Sequence, residues 1–211
     1  KRHADPCPKD TTCYTTSCLC KPNAATASFD HSTLTELSGP FNHDLAGMKA
    51  ITAICLKCHP QAGADMLNTA HWKWIGETPG LKGHETGATV GKNNLINNFC
   101  VAVPSNEQRC AHCHAGYGYT DKNFDFSATN VNAIDCLVCH ASTGYAKAQK
   151  PGGLPDPAEF AGLDLVAAAK SVGKPTRAAC GRCHFKAGGG DNVKKGDLGS
   201  ALTTPTAAAD V

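Results

Sequence analysis

The sequence predicts a mostly irregular chain with a few short α-helices, in which something other than apolar side chains fills the interior. Three observations predict it. Of 211 residues only 41% are hydrophobic and 6% aromatic, while Gly and Pro contribute 21 and 12, so the polypeptide has little material for a large core. Thirteen cysteines are far above the soluble average, a density that signals a disulfide scaffold, a metal protein or attached groups. No convincing alternation of apolar and polar residues marks a strand, whereas short helical patterns do occur.

Eight of the cysteines form four pairs, each followed at once by histidine: Cys55-Leu56-Lys57-Cys58-His59, Cys110-Ala111-His112-Cys113-His114, Cys136-Leu137-Val138-Cys139-His140 and Cys180-Gly181-Arg182-Cys183-His184. With 10 histidines in the chain, four such coincidences arise by chance on the order of once in 10⁵. Cys-x-x-Cys-His is the attachment motif of c-type haem. Its turn sets two thiols at the separation of the two vinyl groups and leaves the histidine beneath the iron. Zinc ribbons also use Cys-x-x-Cys, but zinc explains neither the trailing histidines nor the uneven intervals between pairs. Thioredoxin-like redox chemistry would need a βαβ pattern that is missing. The sequence therefore predicts four covalent haems and a multihaem cytochrome c fold organised around stacked haems. Cys55, Cys58, Cys110, Cys113, Cys136, Cys139, Cys180 and Cys183 supply the thioethers, and His59, His114, His140 and His184 the proximal iron ligands.

Thioether attachment takes place outside the cytoplasm, which predicts an exported protein, extracellular or at the cell surface. The other five cysteines agree with an oxidising compartment. Cys7, Cys13, Cys18 and Cys20 crowd the first twenty residues and are disulfide candidates together with Cys100, which makes the count odd. Bridging Cys18 to Cys20 would strain so short a loop. The chain begins Lys1-Arg2-His3 without an apolar leader, so an export signal is expected to have been removed or to lie outside this numbering. No apolar run of membrane-spanning length occurs. The formal charge of +2, without a basic stripe, gives nucleic-acid binding no support. Four ferric haems with their propionates take that charge to about −2.

Four irons need four distal ligands, and six histidines remain. His71 is the leading candidate, because Asp65 to Ile75 reads as one helix with Leu67, His71 and Ile75 on a single face. His31 and His43 follow Phe29 and Phe41, whose rings could pack on a porphyrin edge. His84 lies between glycines. His112, inside a haem-binding loop, and His3, near the chain's start, are held in reserve. Met48 and Met66 read as packing residues.

Along the chain, residues 1–44 read as a cysteine-tied arm, 45–186 as the haem-binding body and 187–211 as an extended tail rich in Gly, Thr, Pro and Ala. Helices are predicted at Gly47–Cys58, Asp65–Ile75 and Asp164–Val172, the last ended by Gly173 and Pro175. Asp121-x-Asn123-x-Asp125 has the opening of a calcium loop but lacks its later Gly and Glu, so a turn is the expectation.

The stretch from Phe29 to Leu202 resembles the octahaem tetrathionate reductase family of multihaem cytochromes, in its N-terminal half. The matching strings are Asp30-His31-Ser32, Ala70-His71-Trp72, Leu95-Ile96-Asn97-Asn98-Phe99-Cys100, Val103-Pro104-Ser105-Asn106-Glu107, Ala115-Gly116-Tyr117-Gly118, Asp135-Cys136-Leu137-Val138-Cys139-His140, and Gly188-Gly189-Gly190-Asp191 with Gly196-Asp197-Leu198. The resemblance favours His31 and His71 as distal ligands. That family continues into further haem motifs, and where its members commonly carry histidine this chain has Asn94 and Lys195. A tetrahaem chain of this size with a cysteine-tied arm is also similar to OmcE-like extracellular cytochromes that polymerise into nanowires. The expected function is therefore electron transfer with no catalytic residues, in copies joined head to tail as a conducting filament that exchanges electrons with other cytochromes or external acceptors. The alternatives are a small reductase of sulfur or nitrogen oxyanions and a soluble periplasmic shuttle.

Overall fold

A computed structural model describes residues 29–91, 93, 111–120, 123–147, 152–185 and 198–199, together with the backbone of 11–14 and 19–22. Within them the chain is mostly irregular, with short helices.

Helix α1, Leu45–Cys58, begins two residues before its predicted start because the Asp44 carboxylate accepts from the Gly47 amide at 2.8 Å and caps it. Met48, Ile51 and Thr52 form its buried stripe at helical spacing. It stops at His59, whose backbone leaves the helical region, and Pro60 starts α2, Pro60–Met66, at the position where its missing N–H costs nothing.

The predicted single helix from Asp65 to Ile75 is instead broken. Helix α2 ends at Met66 and α3 spans only Ala70–Lys73. Thr69 causes the break: its hydroxyl bonds the Met66 carbonyl at 2.8 Å and accepts from the Trp72 amide at 3.3 Å, replacing the helical ladder. Trp74, at φ 58, then ends α3 in the left-handed region. Leu67, His71 and Ile75 therefore do not share one helical face.

Helix α4, Cys136–His140, is capped by Asp135; α5, Leu165–Lys170, by Asp164; and α6, Arg177–His184, by Thr176. Helix α5 lies inside its predicted range.

Four very short strands were not expected. Strand β1, Thr11–Tyr14, pairs antiparallel with β2, Leu19–Pro22, in a register that sets Cys13 opposite Cys20. Strand β3, Gly76–Glu77, pairs with β4, Thr89–Val90. Runs of two to four residues are too short for alternation to show. At the calcium-like segment, Asp125 spends its carboxylate on the Ser127 amide at 2.8 Å and the Thr129 hydroxyl at 2.9 Å, forming the expected turn. Asp121 lies outside the described residues.

The main core joins Leu37, Met48, Ile51, Leu137, Leu165 and Ala168, with Leu34 and Phe41 packed against it. A second cluster gathers Trp72, Ala133 and Ile134 with Met66, Phe124 and Phe126. Thr52 links the two through its hydroxyl, which donates to the Ile134 carbonyl at 2.7 Å, just before the third haem motif. Thr52→Val keeps the shape but leaves that buried carbonyl unpaired. The expected loss is about 1–3 kcal/mol of unfolding free energy, read as a lower denaturant midpoint at unchanged slope.

Candidate haem-binding site

Each described motif presents its cysteines from one helical turn, which is why the spacing is three. Cys55 and Cys58 end α1, Cys136 and Cys139 lie in α4, and Cys180 and Cys183 in α6, so each pair shares a face. Cys113 closes a short 3₁₀ turn, Ala111–Cys113. None of these seven cysteines is in a disulfide. Cys110 lies outside the described residues, as do Cys7, Cys18, Cys100 and His3, and Cys13 and Cys20 are described as backbone only.

Two of the proximal histidines face a histidine that the sequence singled out. His31 stands opposite His59 with ring centroids 6.3 Å apart, and His71 opposite His184 at 5.9 Å. Two imidazoles sharing one metal through bonds of about 2 Å have centroids roughly 6 Å apart, and both pairs have that separation. His31 Nδ1 is buried without a hydrogen-bond partner. Partial burial and the facing ring draw both His31 and His71 below the ordinary imidazole range, favouring the neutral form that binds metals. His140 donates from Nδ1 to the Gly173 carbonyl at 2.8 Å, which orients its ring and leaves Nε2 as the atom that could ligate a metal.

The other candidates are less clearly placed. His43 has a buried Nε2 with no partner. His112 Nε2 lies 3.1 Å from Cys113 Sγ. His84 is exposed in the connection between β3 and β4 and makes no ring contact among the described residues.

His114 is fully buried and enclosed by Trp72, Trp74, Tyr119, Phe124 and Phe126, with ring centroids 5.3–5.9 Å away. Its Nε2 donates to the Trp72 carbonyl at 2.5 Å, and no described histidine ring faces it. Burial first, then the Lys147 charge, pulls its pKa down to about 3. The neutral imidazole suits a ligand; Nε2 is occupied by the Trp72 carbonyl, while Nδ1 is buried without a hydrogen-bond partner.

Beside it lies a polar cluster that sequence reasoning missed. Tyr117 and Tyr145 donate to Asp135 at 2.7 and 3.0 Å. Lys147 donates to the carbonyls of His114 and Gly116, with its Nζ 3.8 Å from the Asp135 carboxylate. Burial, then Asp135, pushes both phenols well above their usual range, so they stay protonated donors. Burial also lowers Lys147. Asp135 before Cys136 could have been read as a helix cap. A lysine is usually solvated, and nothing in Tyr145-Ala146-Lys147 marked this one as buried.

The motifs also touch one another. The Cys55 thiol lies close to that of Cys136, and Cys113 close to that of Cys183, each pair near enough to perturb one another. Cys139 lies near Cys180 and Cys183, where α4 packs on α6. Burial and Asp135 push Cys139 up to about 11.

Clustered Cys-x-x-Cys-His turns in a mostly irregular chain with short helices define a multihaem cytochrome c fold. Consistent with this, the chain is similar to the crystal structure of octahaem cytochrome c from Shewanella oneidensis, at 41% identity and a TM-score of 0.67. The match covers 85% of this chain and 36% of that one, so the chain spans about a third of the length of the protein it resembles. No family model and no curated relative matches.

Gly116 is a point where backbone must pass close to the enclosed ring: a Cβ there would lie 2.7 Å from the Trp72 ring and 2.9 Å from His114. Gly116→Ala is expected to cost about 1–3 kcal/mol by overpacking, measured by denaturant unfolding.

Proposed function

We propose that this chain is an electron-transfer protein that binds four covalent c-type haems. The observation that carries this reading is the pair of facing imidazoles, His31 with His59 and His71 with His184, at the spacing of a shared iron. Each haem, when bound, supplies a one-electron iron couple. The protein's part would be to tether the four groups through the eight motif cysteines, supply histidine ligands to their irons and hold them near one another. The neighbouring thiols support an order of the sites as first, third, fourth, second, since Cys55 lies near Cys136, Cys139 near Cys180, and Cys183 near Cys113. His43, His112, His84 and His3 remain as ligands for the second and third sites.

Thioether attachment supports export, and we place the protein outside the cell or on its surface. We further propose head-to-tail assembly into a filament, in which copies of the chain continue the row of sites and pass electrons to other cytochromes or external acceptors. A heterologous contact that does not close into a ring generates such a polymer. His31 faces His59 of its own chain, so a ligand donated across subunits falls to His3 or to His43, whose buried Nε2 has no partner.

A second reading, a small multihaem reductase, is favoured by the second motif. No described histidine ring faces His114, and Tyr117, Asp135, Tyr145 and Lys147 place proton donors and a buried charge beside it. The acid and base groups that the sequence did not reveal are thus present.

Three measurements test these readings. Intact mass is expected to show four haems per chain, and fewer would contradict the tetrahaem assignment. Carbon monoxide is expected to bind slowly, if at all, to the reduced protein; rapid binding at one haem selects the reductase. Negative-stain microscopy of the native protein is expected to show filaments, and a monomer at high concentration would sink that part of the proposal. In addition, His71→Ala and His31→Ala should each turn one ferric haem high-spin in electron paramagnetic resonance. An unchanged spectrum removes that residue from the ligand set.

A further inference from the structure

We propose that the Asp135 carboxylate is a built-in negative charge that lowers the reduction potential of the haem held by Cys136, Cys139 and His140. The inference rests on the reading that a haem is bound at this third motif. Asp135 directly precedes Cys136 and is 1% exposed, so its charge acts where water screens little. Everything that touches it donates. Oδ1 accepts from the Tyr117 hydroxyl at 2.7 Å and the Val138 amide at 3.0 Å, and Oδ2 accepts from the Tyr145 hydroxyl at 3.0 Å. Three donors and no acceptor thus surround the carboxylate.

The nearest cation, Lys147, forms a buried ion pair with this carboxylate and offsets its charge only in part. Lys147 stands 3.8 Å from Oδ2, beyond hydrogen-bond length, and directs its donors to the carbonyls of His114 and Gly116. The anion therefore lies at the N-terminal cap of α4, on the third motif, while the cation sits on the backbone of the second. Ferric iron carries one more positive charge than ferrous iron. A fixed anion beside it stabilises the ferric form and lowers the potential, by the same outer-shell logic that tunes other metal sites.

The placement of Asp135 has a structural use too, because it caps α4 and ties Tyr117 and Tyr145 together. A potential separates the two roles. The experiment is a spectroscopically monitored redox titration of the haem-loaded protein, at a pH well above the carboxylate range, with haem content checked by intact mass. Asp135→Asn keeps the shape and removes the charge, and one haem's midpoint is expected to rise with the haem count unchanged. Asp135→Glu is expected to restore the original midpoint. Tyr117→Phe and Tyr145→Phe keep the charge but remove a donor that neutralises it, and each is expected to lower the same midpoint.

Opposite signs for the asparagine and phenylalanine variants are what a purely structural role cannot produce. Unchanged midpoints in Asp135→Asn with full haem content, or shifts of one sign in all the variants, overturn the inference. Should Asp135→Asn fail to fold, the two phenylalanine variants decide alone, and an unmoved or raised midpoint in both counts against it. If the unmodified protein has no haem on Cys136 and Cys139, the underlying reading fails, and the inference with it.

Discussion

A pair of imidazoles held about 6 Å apart is the constraint on which the rest of this molecule depends. Neither ring can be placed by its own segment. His59 is fixed by the end of α1 and His184 by the end of α6, whereas His31 lies in a short 3₁₀ turn and His71 in the four-residue α3. Bringing these segments together requires the core that joins Leu34 and Leu37 to α1 and α5, and the Trp72 cluster that anchors α3. The apolar contacts thus set the spacing of these rings. Helices α4 and α6 extend little beyond the turn that presents two thiols and an imidazole.

The chemistry of the chain was more legible in the sequence than its architecture. Cys-x-x-Cys-His is a local pattern, and the turn that makes it useful is equally local, so the motif positions could be read directly. His31 and His71 were singled out from neighbouring residues, and both stand opposite proximal rings. Helical periodicity nevertheless does not place His71. Its expected helical face does not exist, because Thr69 diverts the backbone hydrogen bonds, and packing of Trp72 rather than helical periodicity sets the position of the ring. The short strands and the enclosure of His114 were invisible for a related reason: both arise from contacts between segments far apart in the chain.

The most informative miss is the cluster of Tyr117, Asp135, Tyr145 and Lys147. Each residue is ordinary in sequence, and only burial gives the group its character. Asp135 connects the two clusters of the fold, sitting next to Ile134 of one and bonded to Tyr117 of the other. Breaking such a buried charged network by removing one member costs several kcal/mol, on the order of 3–5, while its satisfied form gives a single arrangement to the segments around the second and third motifs. The same residues bear on the two functional readings. A chain that only conducts electrons needs closed irons and a fixed charge distribution, whereas a reductase needs one open iron with proton donors beside it.

The central claim is that tethered haems, more than apolar side chains, hold this chain in its fold. Hydrogen exchange on the haem-loaded protein and on the same chain produced without haem attachment tests it directly. The account predicts that the loaded protein protects the amides of α1, α4 and α6 and unfolds cooperatively, and that the haem-free chain loses this protection. Equal protection of those three helices in the haem-free chain would contradict it.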